Sequence, residues 1–254
     1  MSGKLILIPN TLDFGVDGAA VDLQEVLPLE VIRTAARLTY WVAENAKTTR
    51  AFLKRIDAIQ PLVQPLQSLN IVEMPRPPKG RAQPDTATSP WPALLAPARA
   101  GHDIGLISEA GLPAIADPGA LLVAAAHAEG IEVAPLSGPS SLLLALGASG
   151  LNGQSFAFVG YLPVDAAART AKLRELEGLS RRLGQTQLMI ETPYRNQALL
   201  DGLLAGLQPQ TQLSVSCGLT LPGGWTRTST VAQWKAKPKA MPDKVPAVFA
   251  LLAG

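Results

Sequence analysis

Short apolar runs along the chain are closed by glycine, proline or asparagine, and they alternate with longer stretches whose apolar positions recur three and four residues apart. That pattern predicts buried strands alternating with crossover helices. Lys4 to Ile8 reads as a buried strand ending at a Pro9-Asn10 turn. Helical spacing follows over 24–44 and again over 47–60, the second with Phe52, Leu53 and Ile56 on one face. From Glu73 to Pro97 the prolines at 75, 77, 78, 84, 90, 92 and 97 leave a loop with only short helical pieces.

Two strand–loop–helix units come next. Asp103 to Ser108 predicts a strand, and Glu109 to Gly119 a loop rich in glycine and proline. Asp117-Pro118 then reads as an N-cap followed by proline at the first helical position. The helix through Leu121, Leu122 and Ala125 ends at Gly130, a left-handed C-cap residue. Ile131 to Leu136 is the next strand, and Gly138-Pro139 opens a helix in the same way, ending near Gly147. This rhythm implies a parallel sheet with ligands at the carboxyl ends of its strands.

The second half is expected to repeat the rhythm. Strands are predicted over 155–159, 187–190, 212–217 and 245–252, with helices over 166–182 and 196–207. The expectation is an α/β chain of two domains, 1–136 and 137–254, joined near Ser137 to Ser141, without short repeats.

Composition narrows the function. Among 254 residues, 47% are hydrophobic and 17% charged, which marks a globular chain. The lone Cys217 excludes an internal disulfide framework, and with only His102 and His127 no Cys/His zinc site is expected. Neither a signal pattern nor an apolar stretch of roughly 20 residues occurs, so the chain is read as cytoplasmic, with no membrane association. The net charge of +2 is unevenly spread: 33–99 holds ten basic and four acidic residues. Such a segment suits a phosphate-bearing partner; a solvated helix face with a basic loop explains it equally well.

No G-x-G-x-x-G, P-loop or G-x-S-x-G motif follows any strand, which speaks against a dinucleotide site, a nucleotide triphosphatase and a serine hydrolase. In LISEAGLPAIADPG, residues 106–119, small residues at Ala110, Gly111, Ala114 and Ala116 let a ligand lie against the backbone. A loop shaped only to connect strand and helix is the competing explanation. LSGPSS at 136–141 follows on the next strand, on the same sheet edge.

These blocks, with FAFVGYLP at 156–163, IETPYRNQALLDGLLAGL at 190–207 and AENAKTTRAFLKRI at 43–56, resemble the ribosomal RNA small-subunit methyltransferase I family. That family lies within the tetrapyrrole-methylase superfamily of class III S-adenosylmethionine-dependent methyltransferases. The resemblance is continuous from about residue 101 to 207 and patchy elsewhere. It implies two α/β domains of the tetrapyrrole-methylase type with the cofactor cleft between them, a homodimer, and S-adenosylmethionine as cofactor. The implied reaction is ribose 2′-O-methylation of small-subunit ribosomal RNA. Methylation of a tetrapyrrole-like small molecule and a non-catalytic cofactor-binding relative stand as alternatives.

Carried over by position, Glu109, Ala110, Gly111, Leu112 and Pro113 would line the methionine end of the cofactor, and Pro9 of the first loop is a further cofactor-binding candidate. Ile115 and Ala116 would lie beside the methionine end, with Ser140 and Ser141 reaching in. Tyr161, Tyr194 and the Leu219-Thr220 backbone would sit nearer the adenosine. Glu44 and Lys47 are the candidates for acceptor chemistry, because a ribose hydroxyl needs a base or a nearby cation. Arg50, Lys54, Arg76, Lys79 and Arg81 are the candidates for phosphate contact. The chain departs from the family at Asn45, where the family's helix start carries an acid, and at 75–97, a basic proline-rich stretch in place of the family's substrate loop.

Overall fold

In the computed structural model, which describes residues 2–13, 21–75 and 89–254, the chain divides after Pro139 into two units. The first contains β1 (Leu5–Leu7), α1 (Leu23–Val26), α2 (Leu29–Arg37), β2 (Tyr40–Ala43), α3 (Ala46–Asp57), β3 (Asn70–Glu73), α4 (Ala96–Arg99), β4 (Ile104–Ile107), α5 (Gly119–Ala128) and β5 (Val133–Pro135). Its five strands are all parallel, in the order β3-β2-β4-β1-β5.

Strand alternation assigns successive side chains to opposite faces. Ile6, Trp41 and Ala43 join Val31, Ile32, Phe52, Leu53 and Ile56 of α2 and α3 in one core. Leu5, Val42 and Leu106 join Leu95, Ala98, Leu122 and Ala126 in the core on the other face. A parallel sheet covered on both faces follows.

Three local features differ from expectation. The stretch 24–44 is not one helix: Pro28, without an amide hydrogen, separates α1 from α2, and the aromatic and β-branched run Tyr40-Trp41-Val42 forms a strand. β3 lies at the sheet edge, mostly exposed and without apolar alternation, so periodicity gives it no signal. α5 starts one residue later than predicted, with Pro118 at its N-cap and no side-chain cap.

The second unit contains α6 (Ser141–Ser149), β6 (Phe156–Tyr161), α7 (Ala166–Leu183), β7 (Thr186–Ile190), α8 (Asn196–Gly206), β8 (Gln212–Cys217), β9 (Trp225–Thr230), α9 (Val231–Ala236) and β10 (Ala247–Leu252). The sheet order is β6-β7-β10-β8-β9. Only β6 and β7 are parallel; β10 runs antiparallel to β7 and β8, and β8 antiparallel to β9. The predicted repetition of the parallel rhythm therefore fails after α8, because the tight turn at 218–224 returns the chain as an adjacent antiparallel strand.

β9 reads Trp-Thr-Arg-Thr-Ser-Thr and is half-buried throughout, so it lacks the apolar alternation that would reveal it. α9 carries a reciprocal capping box between Thr230 and Gln233, a signal present in the sequence as T-x-x-Q. One face of the sheet packs Met189, Val215 and Phe249 against Leu173, Leu200, Leu203 and Trp234; the other packs Leu188, Val248 and Ala250 against Ala145 and Leu146 of α6.

Candidate functional site

The loop joining β4 to α5 is held from behind by the end of β1. Asn10 is buried, and its amide Nδ2 donates to the carbonyls of Ser108 and Glu109, both at 3.1 Å. Its backbone amide donates to the Gly111 carbonyl at 2.9 Å, and the Gly111 amide returns a bond to Thr11 at 3.2 Å. The two segments thus form a short antiparallel bridge at Asn10 and Gly111. Gly111 has φ +67°, and an added Cβ would meet Leu12 and the Pro139 carbonyl at 3.3 Å. Conformation and space both call for glycine there.

Farther along, Ala114 and Ala116 adopt φ +68° and +65°, a region that side-chain-bearing residues hold only when their surroundings impose it. Ile115 between them is exposed. The next strand's end approaches β1 closely: a Cβ at Gly138 would lie 2.2 Å from the Pro9 Cβ. Pro9, Glu109, Ala110, Gly111, Leu112, Pro113, Ile115 and Ala116 all belong to this unit, in the 9–13 segment or the loop after β4.

Charge is arranged around the same loop. The Glu44 carboxylate accepts from the Glu109 amide at 3.0 Å. Asp117 Oδ1 accepts from the Gly119 amide at 2.7 Å, while its buried Oδ2 meets no donor. Burial, with the Glu44 charge adding to it, pushes the Asp117 carboxyl up to about 6 against the opposing pull of nearby backbone amides. Asp13 shows the contrary balance. Burial opposes its ionisation, but hydrogen bonds from the Thr11 hydroxyl, the Val21 amide and Arg55 hold it below the usual carboxylate range. Asn10, Asp13 and Asp117 escape sequence reasoning as site residues, because each reads locally as a turn or cap residue.

The basic segment is partly neutralised. Arg37 pairs with Asp103, Arg55 with Asp13 and Arg99 with Glu129, carboxylates that all lie outside 33–99. Lys47, Arg50 and Lys54 remain exposed at i, i+3 and i+7 along α3, one face of the helix. Asn45, where the family carries an acid, is the N-cap of α3, its Oδ1 accepting from the amides of Lys47 and Thr48. Arg76, Lys79 and Arg81 lie outside the described residues.

In the second unit, Ser140 is the N-cap of α6 with no side-chain cap bond, and Ser141 begins the helix. A register shift in β6 after Phe158 precedes Tyr161, which is 54% exposed at the strand's end. Tyr194 is 72% exposed beside Arg195, whose guanidinium lies 5.6 Å from its ring centroid. Arg195 is anchored by the nearly buried Glu191 at 2.6 Å. Leu219 and Thr220 form the turn after β8, Thr220 at φ +67°. A cavity of about 190 Å³ beside that turn is lined by Cys217, Leu221, Trp225 and Val245; burial pushes the Cys217 thiol up to about 11, which makes it an inert wall.

The known proteins that match fall into two sets. Over 140 residues the chain is 36% identical to ribosomal RNA small subunit methyltransferase I of Mesorhizobium japonicum, covering 55% of this chain and 46% of that protein. Over 120 residues it is 39% identical to the protein of the same name from Vibrio cholerae, covering 47% and 40%. The chain therefore spans less than half the length of these curated relatives. No family model matches the sequence.

Among solved structures, uroporphyrin-III C-methyltransferase from Thermus thermophilus complexed with S-adenosylhomocysteine superposes with a TM-score of 0.55 at 18% identity, over 98% of this chain and 97% of that one. The methyltransferase CobJ superposes with a TM-score of 0.56 at 16% identity, over the whole of both chains. The fold is that of the tetrapyrrole methylases. The α/β class read from the sequence thus stands, with the second sheet mixed instead of parallel. Among the described residues of this tetrapyrrole-methylase fold, no helix is long and apolar enough to cross a membrane.

Proposed function

We propose that the chain is an S-adenosylmethionine-dependent methyltransferase acting on small-subunit ribosomal RNA, at a ribose 2′-hydroxyl, and that it works as a homodimer. The observation that carries the cofactor reading is the 109–119 loop. Its small residues at Ala110, Gly111, Ala114 and Ala116, with left-handed turns at Gly111, Ala114 and Ala116, leave little side chain between the backbone and a ligand, while Asn10 and Glu44 brace the loop. S-adenosylmethionine offers the matching groups: a carboxylate, an ammonium, hydroxyls and an adenine edge. When bound, it supplies an electrophilic methyl group on a sulfonium.

Holding the acceptor in line with that methyl group supplies most of the rate, about 7–11 kcal/mol in well-oriented intramolecular reactions. Glu44 stands at the loop's edge as the group to take the hydroxyl proton, and Lys47, on the first turn of α3, as the nearby cation. The exposed Lys47–Arg50–Lys54 face supports RNA as the acceptor, since it offers three cations to a phosphate backbone. The relatives named for ribosomal RNA methylation support the same choice.

Titration calorimetry with S-adenosylhomocysteine, followed by methyl transfer from labelled cofactor to immature small ribosomal subunits, tests the reading. One site per subunit and label in the RNA ribose are expected. Binding with label only in a tetrapyrrole would move the acceptor to a small molecule, and absence of binding would refute the cofactor assignment.

A further inference from the structure

Two tyrosines and an arginine gather at the carboxyl ends of the parallel strands β6 and β7, all within the second unit. Tyr161 ends β6 and stands opposite Ile190, the last residue of β7. Tyr194 and Arg195 lie in the single 3₁₀ turn, Pro193–Arg195, that leads from β7 into α8. Both rings are exposed. One exposed ring is ordinary on a protein surface; two beside one fixed guanidinium make a surface with a chemistry of its own.

Arg195 is fixed from below. Its Nε donates to Glu191 Oε1 and to Thr192 Oγ1, both at 3.1 Å, and its Nη2 donates to Glu191 Oε1 at 2.6 Å. Glu191 is itself nearly buried. The guanidinium lies over the Tyr194 ring, and Tyr161 is close enough to bear on its charge. So held, it offers a flat face at little cost in conformational entropy.

Tyrosine rings and guanidinium planes stack on the flat face of a nucleobase, whatever its identity. The cleft behind Arg195, between Val164, Arg169, Glu191 and Leu199, has about 30 Å³ of space, room for a water and not for a base. A base therefore rests on the surface here, against the rings. Small-molecule sites enclose most of their ligand, whereas single strands lay their bases on open aromatic platforms. That difference favours an unpaired base of the acceptor over the adenine of the cofactor, near which the family resemblance puts both tyrosines.

We propose that Tyr161, Tyr194 and Arg195 form a stacking platform for unpaired nucleobases of the RNA acceptor. This rests on the RNA reading above. Stacking adds affinity that does not release counterions, so it is separable from the phosphate contacts assigned to Lys47, Arg50 and Lys54.

The test measures, by fluorescence anisotropy, binding of a labelled single-stranded RNA of about ten nucleotides and of its abasic counterpart. The proteins are the wild type, Tyr161→Ala, Tyr194→Ala, Tyr161→Phe and Tyr194→Phe, and calorimetry gives the S-adenosylhomocysteine affinity of each. Each alanine variant should lose about tenfold in RNA affinity, the share of one stacked base, with the slope of log affinity against log salt unchanged. The phenylalanine variants keep the ring and should bind as the wild type does. Abasic RNA should bind the wild type more weakly and should not distinguish the alanine variants from it. S-adenosylhomocysteine affinity should hold throughout.

Alanine variants that bind the RNA as tightly as the wild type, or phenylalanine variants as weak as alanine, overturn the proposal. So does a wild type that binds ordinary and abasic strands alike, a comparison that needs no variant, or one that binds neither. Loss of S-adenosylhomocysteine affinity with RNA affinity intact overturns it in favour of the cofactor's adenine. The acceptor reading fails separately: a wild type that passes no methyl group to immature small subunits refutes that reading, while the alanine and abasic comparisons still decide the platform.

Discussion

Glu44, one residue beyond β2, accepts a hydrogen bond from the backbone amide of Glu109 at 3.0 Å, and so ties the end of one strand to the first residue of the loop after β4. The pair are 65 positions apart in the chain. The bond joins the candidate base to the candidate cofactor loop, and the two roles separate by substitution. Glu44→Gln keeps an oxygen to accept the Glu109 amide, so S-adenosylhomocysteine affinity near neutral pH should be retained while methyl transfer falls by roughly 10²-fold or more. Equal losses in binding and turnover would show that Glu44 is only a brace.

Gly111→Val combines a left-handed φ of +67° with a Cβ placed 3.3 Å from Leu12 and the Pro139 carbonyl. The expected result is loss of detectable S-adenosylhomocysteine binding in calorimetry, with the far-ultraviolet circular dichroism spectrum retained. Undiminished affinity would put the cofactor elsewhere.

Removing the Asn10 side chain leaves the Ser108 and Glu109 carbonyls without their donor. Asn10→Ala should cost about 1–3 kcal/mol in urea unfolding. It should also raise hydrogen exchange at Gly111, whose amide bonds the adjoining Thr11. A change confined to overall stability, with Gly111 still protected, would count against a bracing role.

Asp13 and Asp117 should contribute to stability with opposite pH dependence. The Asp13 carboxyl is held low, so its stabilisation is present above the unfolded value of about 3.9 and lost as pH falls through the lower folded value. The Asp117 carboxyl is raised, so its relative stabilisation is present below about 3.9 and lost as pH rises through about 6. Asp117→Asn should therefore gain stability over the wild type as pH rises from about 4 to about 7, on the order of 1–3 kcal/mol. Urea midpoints across that range check the sign.

The exposed face of α3 gives a salt-dependent prediction. Replacing Lys47, Arg50 and Lys54 together by alanine should weaken binding to single-stranded ribosomal RNA fragments and lower the slope of log affinity against log salt by about 2. The cofactor affinity should not change. An unaltered slope would remove this face from the RNA interface.

The α/β class, most of the strand and helix spans, and the small-residue loop over 106–119 were legible in the chain before any packing was known. Those features rest on local chemistry: apolar periodicity marks buried elements, and glycine or proline marks their ends. β9 and β3 were silent, since half-buried polar strands take their stability from neighbours supplied by distant segments. The direction of β10 was likewise undetermined, because an apolar run pairs equally well either way until its neighbours are in place.

Which charges remain available emerged only once the chain was folded. Ten basic residues between 33 and 99 looked like one patch, but Arg37, Arg55 and Arg99 are paired with carboxylates brought from elsewhere in the chain. Packing also brought Asn10 and Glu44 to the loop that carries Asp117. Convergence of that kind depends on strand order in the sheet, and strand order is a property of the packed whole that no local pattern encodes.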